Sequence, residues 1–316
     1  MTAALDTRPP SAVELLGTDV SGSFTAGQAL QDARLAGLNV TKVPIVTATR
    51  GELVHGQYAL ESHGRPLPGI TVGDDYKVVQ FEENAATLDA VARRLGATFA
   101  NAGALSLSQA FVSLVLPEPL VIGDDRLIAT INTFMSHGVG SNVFVPGGCR
   151  VLCANQQPQL VREGRDYKVT IRHTTSAPER TALAEEAMMA TTAGMKLIVD
   201  EGLAMLRQPC SHDDFTRIID ILFPLGGDSK TAQTHYDRRV AILEGIFNGP
   251  TNANIAGTAW CAYQAVAEYV QWARGVRGVP ENELNTARAR RTLAGGGHKD
   301  QVRAYTLIRE MFDLAG

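Results

Sequence analysis

Two glycine-rich stretches are the natural places to look for phosphate chemistry. Gly226-Gly227-Asp228-Ser229-Lys230-Thr231 ends in Lys-Thr, as a phosphate-wrapping loop does. Such a loop needs Gly directly before the Lys, so that backbone amides can close around the phosphate. Ser229 stands there instead, and no strand-like run precedes it. Gly138-Val139-Gly140-Ser141 has the first two glycines of a dinucleotide fingerprint and lacks the third. It leads into a further apolar, strand-like run rather than a helix, so it reads as a turn between strands. Cys149 and Cys153 have no second pair and no well-spaced histidines, so core packing is expected and no metal site. Cys210, His212, Asp213 and Asp214 cluster where a helix should begin, and acids there complement the helix dipole. His137 and His173 end strands and have the right pKa range for acid–base work. Neither has a partner carboxylate or nucleophile evident from the sequence, which favours polar packing. No catalytic signature is complete, so the residues favour binding over catalysis, with no cofactor expected.

Charge placement says more than total charge. The 316 residues carry a net −4, with 45% hydrophobic and 20% charged, an ordinary globular balance. Thr286–Arg309 holds Arg288, Arg290, Arg291, Lys299, Arg303 and Arg309 against Asp300 alone. That segment is net +5, which leaves −9 for the rest. A basic patch on an acidic chain can hold phosphates even at low pI. A solvated helix face accounts for the same pattern. Four cysteines do not make a disulfide framework, no apolar run reaches membrane-spanning length, and no secretory pattern opens the chain. These features predict an intracellular, cytoplasmic protein.

The elements that must position these residues fall into two groups. Asp6–Gly27 is rich in Pro, Ser, Thr and Gly and reads as a loose arm. A helix capped at Thr25 runs to Gly37. Strands are expected at Asn39–Val46, Gln57–Glu61, Tyr76–Phe81, Thr98–Leu105, Ala110–Leu116, Arg126–His137, Cys149–Asn155 and Tyr167–Thr174. Turn residues at Arg65–Gly69 and a helix over Asn84–Leu95 interrupt them. After Ser176 the pattern turns helical to the end, with Ser211 and Asp214 capping one of the helices. Strands first and helices after predict an α+β fold. The expected divisions are 1–37, a β-rich 38–175 and a helical 176–316. In Tyr167–His173, Val169 and Ile171 alternate with Lys168, Thr170 and Arg172, which would make one sheet face basic.

Five short motifs together resemble a known family. They are Gly73-Asp74-Asp75-Tyr76 through Gln80 with Leu88-Asp89, then Met135-Ser136-His137-Gly138 to Ser141 with Arg150-Val151-Leu152-Cys153-Ala154-Asn155. Ile171-Arg172-His173-Thr174, Thr258-Ala259-Trp260 with Ala265–Val270, and Gly295–Gly297 with Lys299 follow. In this order they resemble the phage/plasmid-like protein family, domain of unknown function 932, from about Leu38 to Phe312. Met135, Val139 and the Gln156-Gln157 pair depart from the family pattern. The resemblance implies a mobile-element setting and no assigned activity. The order of elements is also similar, at fold level alone, to phage single-strand annealing proteins of the Redβ, RecT and Erf kinds.

The leading expectation is a single-stranded DNA-binding or strand-annealing protein of recombination or replication. Arg150, Lys168, Arg172 and His173 would track phosphates on the sheet; Arg288, Arg290, Arg291, Lys299 and Arg303 would add a second basic surface. The partner is single-stranded DNA, with a homo-oligomer, as a ring, the form the analogy suggests, and no membrane. One alternative is a non-enzymatic protein that blocks a host defence factor, using the acidic remainder. The other is a nucleotide- or nucleic-acid-processing enzyme built on His137, His173 and the turn Gly138, Gly140 and Ser141.

Overall fold

The Ser11 hydroxyl accepts from the Glu14 amide, and the Glu14 carboxylate accepts from the Ser11 amide. This reciprocal cap opens α1 (Ala12–Leu16), whose Ala12 and Val13 are buried. The computed structural model describes residues 8–138, 141–156, 161–162, 165–166, 169–172 and 177–314. At 141–142, 161–162, 165–166, 169–172, 177–185, 187–188 and 294 the backbone alone is described. After α1 come β1 (Thr18–Asp19) and α2 (Ala26–Asp32), with Thr25 capping α2 through the Gln28 amide. Residues 8–27 are therefore not a loose arm. Burial of Val13, Val20 and Ala26 holds them to the fold despite their turn-rich composition.

Next, β2 (Thr41–Val46), β3 (Leu53–Ser62) and β4 (Arg65–Val72) form a small antiparallel sheet in that order. His63 and Gly64 both have positive φ, 49° and 76°, and join the paired residues Ser62 and Arg65. A two-residue hairpin turn of this hand needs positive φ at both positions. The sequence placed a turn at Arg65–Gly69 because of Pro66 and Pro68, and a strand at Tyr76–Phe81. The structure reverses both. As an edge strand β4 tolerates prolines, whose missing amides cost no ladder bond. Tyr76–Gln80 runs without a strand partner into a 3₁₀ turn at Phe81–Asn84.

The larger sheet follows α3 (Ala85–Leu95), which ends at left-handed Gly96 as expected. Its strands are β5 (Thr98–Ala104), β6 (Gln109–Val115), β7 (Leu120–Ile122), β8 (Asp125–Ser136) and β9 (Ser141–Arg150). A small hairpin, β10 (Val161–Arg162) with β11 (Arg165–Asp166), precedes β12 (Val169–Arg172). The order is β1-β5-β6-β8-β9-β12, all antiparallel, with β7 also on β8. Ala110, Val112 and Leu114 of β6 and Ala129, Ile131 and Met135 of β8 pack on Leu30 of α2 and Leu88 and Val91 of α3. The expected strand Cys149–Asn155 stops at Arg150. The chain turns there, with the Ala154 amide on the Arg150 carbonyl and Ala154 at φ 55°.

The remaining elements are α4 (Ala177–Arg207), α5 (His212–Leu222), α6 (Lys230–Phe247), α7 (Ala259–Glu268), a π-helical segment Tyr269–Ala273, α8 (Leu284–Ala294) and α9 (Gly296–Met311). Antiparallel sheets first and helices after make the fold α+β. Ser211 caps α5 reciprocally with Asp214, as read. Ser229 caps α6, so the Gly-Gly-Asp-Ser-Lys-Thr stretch is a helix entry. Met195 of α4 joins the sheet core, while Leu197, Ile198 and Met205 join the helical core with Ile122 and Leu127 from the sheet. The long α4 thus contributes to both cores. No described helix is long and apolar enough to cross a membrane.

One close approach fixes α1 against the sheet. A Cβ on Gly103 would meet the Leu16 carbonyl at 2.6 Å and the Gly17 Cα at 2.9 Å. Both are backbone atoms and cannot rotate away. Gly103→Ala should lower stability by about 1–3 kcal/mol, the usual cost of overpacking. Urea unfolding reads this directly; an unchanged midpoint would mean that α1 does not dock here in solution.

Candidate functional site

Arg150 closes β9, and its guanidinium is fully buried. Nε donates to both Asp125 carboxylate oxygens at 2.8 Å, Nη1 to Asn252 Oδ1 at 2.7 Å and Nη2 to Asn254 Oδ1 at 3.1 Å. Trp260 Nε1 donates to Asp125 Oδ2 at 2.9 Å. The expected phosphate-tracking role of Arg150 is therefore corrected: a nucleic-acid backbone cannot reach it. Its charge instead ties the end of the sheet to the helical half. The neighbouring turn adds to this tie. Asn155 accepts from Trp272 Nε1 at 3.2 Å, and the Gln156 backbone exchanges two 2.9 Å bonds with the Gln271 amide side chain. Both partners lie in the π-helical segment, whose extra residue per turn re-aims side chains. Beside this network the half-buried Glu268 accepts from Thr251 at 2.9 Å, and burial pushes its carboxyl up from the usual range.

His137 lies in a separate niche and is also fully buried. Its ring stacks on Phe81 with centroids 3.8 Å apart, and Nδ1 donates to the Val79 carbonyl at 2.9 Å. Nε2 is then the bare acceptor, and it has no hydrogen-bond partner among the described residues. Burial lowers the His137 pKa, opposed by the Val79 bond and by Glu82. The sign of the pH effect follows. Above the ordinary His value, about 6.5, folded and unfolded chains are both neutral at this ring. As pH falls below it the unfolded chain takes up a proton that the folded chain refuses, so stability drops until the lower folded value is passed. Urea unfolding from pH 8 to 5 should show wild type losing more stability than His137→Gln. Parallel curves would mean the ring is not held neutral.

The other chemical candidates have structural roles. All four cysteines are buried and free, and burial pushes each thiol up to about 12. A thiol held that far up is a poor nucleophile at neutral pH. Gly138 packs on Ile70, where a Cβ would sit 3.1 Å from its side chain. Lys168, His173 and Gly140 lie outside the described residues. At Arg172 and Ser141 the backbones pair in register between β12 and β9.

The basic C-terminal residues divide by what they bond. Arg303 donates to the Ile221 and Leu222 carbonyls at 2.8 and 3.3 Å, closing the end of α5. Arg288 donates through Nε to the Arg274 carbonyl at 2.8 Å and through Nη2 to Ala273 at 3.3 Å. Arg290 and Lys299 are exposed, and Arg291 is half-buried. Arg288 and Arg303 are thus bonded to backbone carbonyls, while Arg290 and Lys299 face outward.

A cleft of about 510 Å³ brings other cations together. Its walls are α6 (His235, Arg238, Arg239, Ile242), the π-helical segment and its exit (Tyr269, Ala273, Arg274, Gly275), and α8 (Leu284, Arg288). Among the described residues, four arginines and a histidine line it and no carboxylate does. Arg274 is paired with Asp300, and Arg239 donates to the Phe223 carbonyl at 2.9 Å. Both guanidinium groups lie over the Phe223 ring, 5.6 and 5.7 Å from its centroid. Exposed Arg238 makes no hydrogen bond or ion pair among the described residues. Of the expected site residues that are described, only Arg288 belongs to this cleft. The missed signal was local: His235, Arg238, Arg239 and Ile242 follow i, i+3, i+4, i+7 spacing, one face of a helix.

The family model described as Domain of unknown function (DUF932) matches residues 70–293. The chain belongs to that family. Comparison with curated proteins and with solved structures returned no match. Within this DUF932 chain, motifs far apart in sequence meet in space. Tyr76 of the first motif reaches the His137 and Gly138 carbonyls of the second at 2.8 and 2.6 Å. Asp89 accepts from the Ala26 amide at 2.7 Å, at the start of α2. The Arg150–Asn155 motif meets the Trp260 motif through Asp125 and through the 3.3 Å bond from Asn155 to Gln264. The last two of these contacts tie the sheet to the helical half.

Proposed function

We propose that this protein binds single-stranded DNA through its helical half and promotes strand annealing in the recombination or replication of a mobile element. The observation that carries this reading is the carboxylate-free cleft with four arginines and His235. Arginine forks match phosphate oxygens in pairs and stay charged at any working pH. Exposed Arg290 and Lys299 would extend the attraction along the strand. Annealing needs no general acid or base, and it suits a chain whose described thiols are held protonated. The enzymatic reading had placed its acid–base work on His137 and His173. Support for it is weaker because His137 is fully buried.

The test is a band-shift and annealing assay with complementary strands. Single strands should bind in preference to duplex, and pairing should speed up with added protein. Absence of binding to any single strand at about 50 mM salt, where phosphate contacts are strongest, overturns the proposal. Capture of one stoichiometric host protein by a DNA-indifferent chain would point to the interaction reading instead.

A further inference from the structure

We infer that the arginine cleft takes the phosphorylated end of a strand, a terminal phosphomonoester with its first nucleoside. This rests on the reading that the protein binds single-stranded DNA.

The shape is the first reason. A strand interior is tracked by an open groove with cations spaced along it. Here α6, the π-helical exit and α8 enclose three sides of a cavity of about 510 Å³. That is the size of a small-molecule pocket. It suits one terminal nucleotide better than a run of them.

Charge density is the second. An interior phosphodiester carries one negative charge. A terminal monoester carries about −1.5 to −2 at neutral pH and offers three strong acceptor oxygens. Arg238, Arg239 and Arg288, with Arg274 shared with Asp300, surround one cavity and match that denser charge.

The third reason is preorganisation. Arg239 and Arg274 are held by one bond each, to the Phe223 carbonyl and to Asp300, and both are stacked on Phe223. Arg288 holds the Arg274 carbonyl in turn. Guanidinium groups already fixed lose less freedom on binding. Arg238 is the exception: it is exposed and without a partner among the described residues. It can swing onto an incoming phosphate. Ile242, Ala273 and Leu284 supply apolar wall for the sugar and base.

The experiment compares one fluorescent 20-mer in three forms, with a 5′-phosphate, a 3′-phosphate or hydroxyls at both ends. Anisotropy is read at about 100 mM salt, where backbone contacts are partly screened. A circular single strand serves as competitor. One phosphorylated form should bind about tenfold tighter than the hydroxyl form, and the circle should compete poorly. Arg238→Glu should erase the difference between the forms. Which phosphate wins assigns the 5′ or the 3′ end. Equal affinity for all three forms overturns end recognition and leaves single-strand binding standing. A phosphate preference that survives Arg238→Glu overturns the placement in this cleft. No binding of any form overturns both readings.

Discussion

Arg150→Met should cost about 3–5 kcal/mol of folding stability, the usual penalty for removing one partner of a buried ion pair. Both side chains of the Arg150–Asp125 pair are fully buried. Methionine fills much of the arginine's volume, so the loss would come from charge and not from a cavity. Asp125 would keep the Trp260 bond but lose its counter-ion, and Asn252 and Asn254 would each lose a donor. Asp125→Asn should cost a similar amount by stranding the cation. The double variant, with both charges gone, should recover much of the loss, because the desolvation penalty disappears with the charges. Urea unfolding of the four proteins forms the cycle. Additive losses would show that the two groups do not interact in solution. By contrast, Arg277→Met, at an exposed position, should change stability by no more than about 0.5 kcal/mol.

Arg238→Glu should weaken single-strand binding by about 10- to 100-fold. A charge-assisted hydrogen bond contributes about 1.5–3 kcal/mol, and each 1.4 kcal/mol is a factor of about ten. Reversal also places a carboxylate in a cleft that has none. Arg238 is exposed, so the variant should unfold at the same urea concentration as wild type. Equilibrium anisotropy with an unphosphorylated oligonucleotide in low salt reads the effect. A normal affinity would move the strand away from this cleft and onto other cations such as Arg290 and Lys299.

Local chemistry was legible in the sequence where it is decided locally. Ser211 with Asp214, Thr25 and Gly96 mark helix ends by hydrogen bonds and φ preferences within a few residues. Short strand-like runs over Ala110–Leu116 and Arg126–His137 found two strands of the sheet. Other features are set by tertiary position. Pro66 and Pro68 argue against a strand unless the strand is an edge, and nothing nearby says that β4 is one. Arg150 looks like any other cation in sequence. Its partners lie 25 residues before it and 102 and 104 after, so burial could not be read from its neighbours. The basic C-terminal segment was legible as charge, but the bonding of Arg288 and Arg303 to backbone carbonyls was not. The cleft escaped because its cations come from α6, the π-helical exit and α8, which only the fold brings together.

The most direct test of single-strand binding at the arginine cleft is the slope of log affinity against log salt for a single strand, wild type beside Arg238→Glu. Each phosphate neutralised on a single strand contributes about −0.7 to that slope. Binding at the cleft predicts a clearly negative slope for wild type and one shallower by about 0.7–1 for Arg238→Glu. A slope near zero, or the same slope for both proteins, would contradict binding at the cleft.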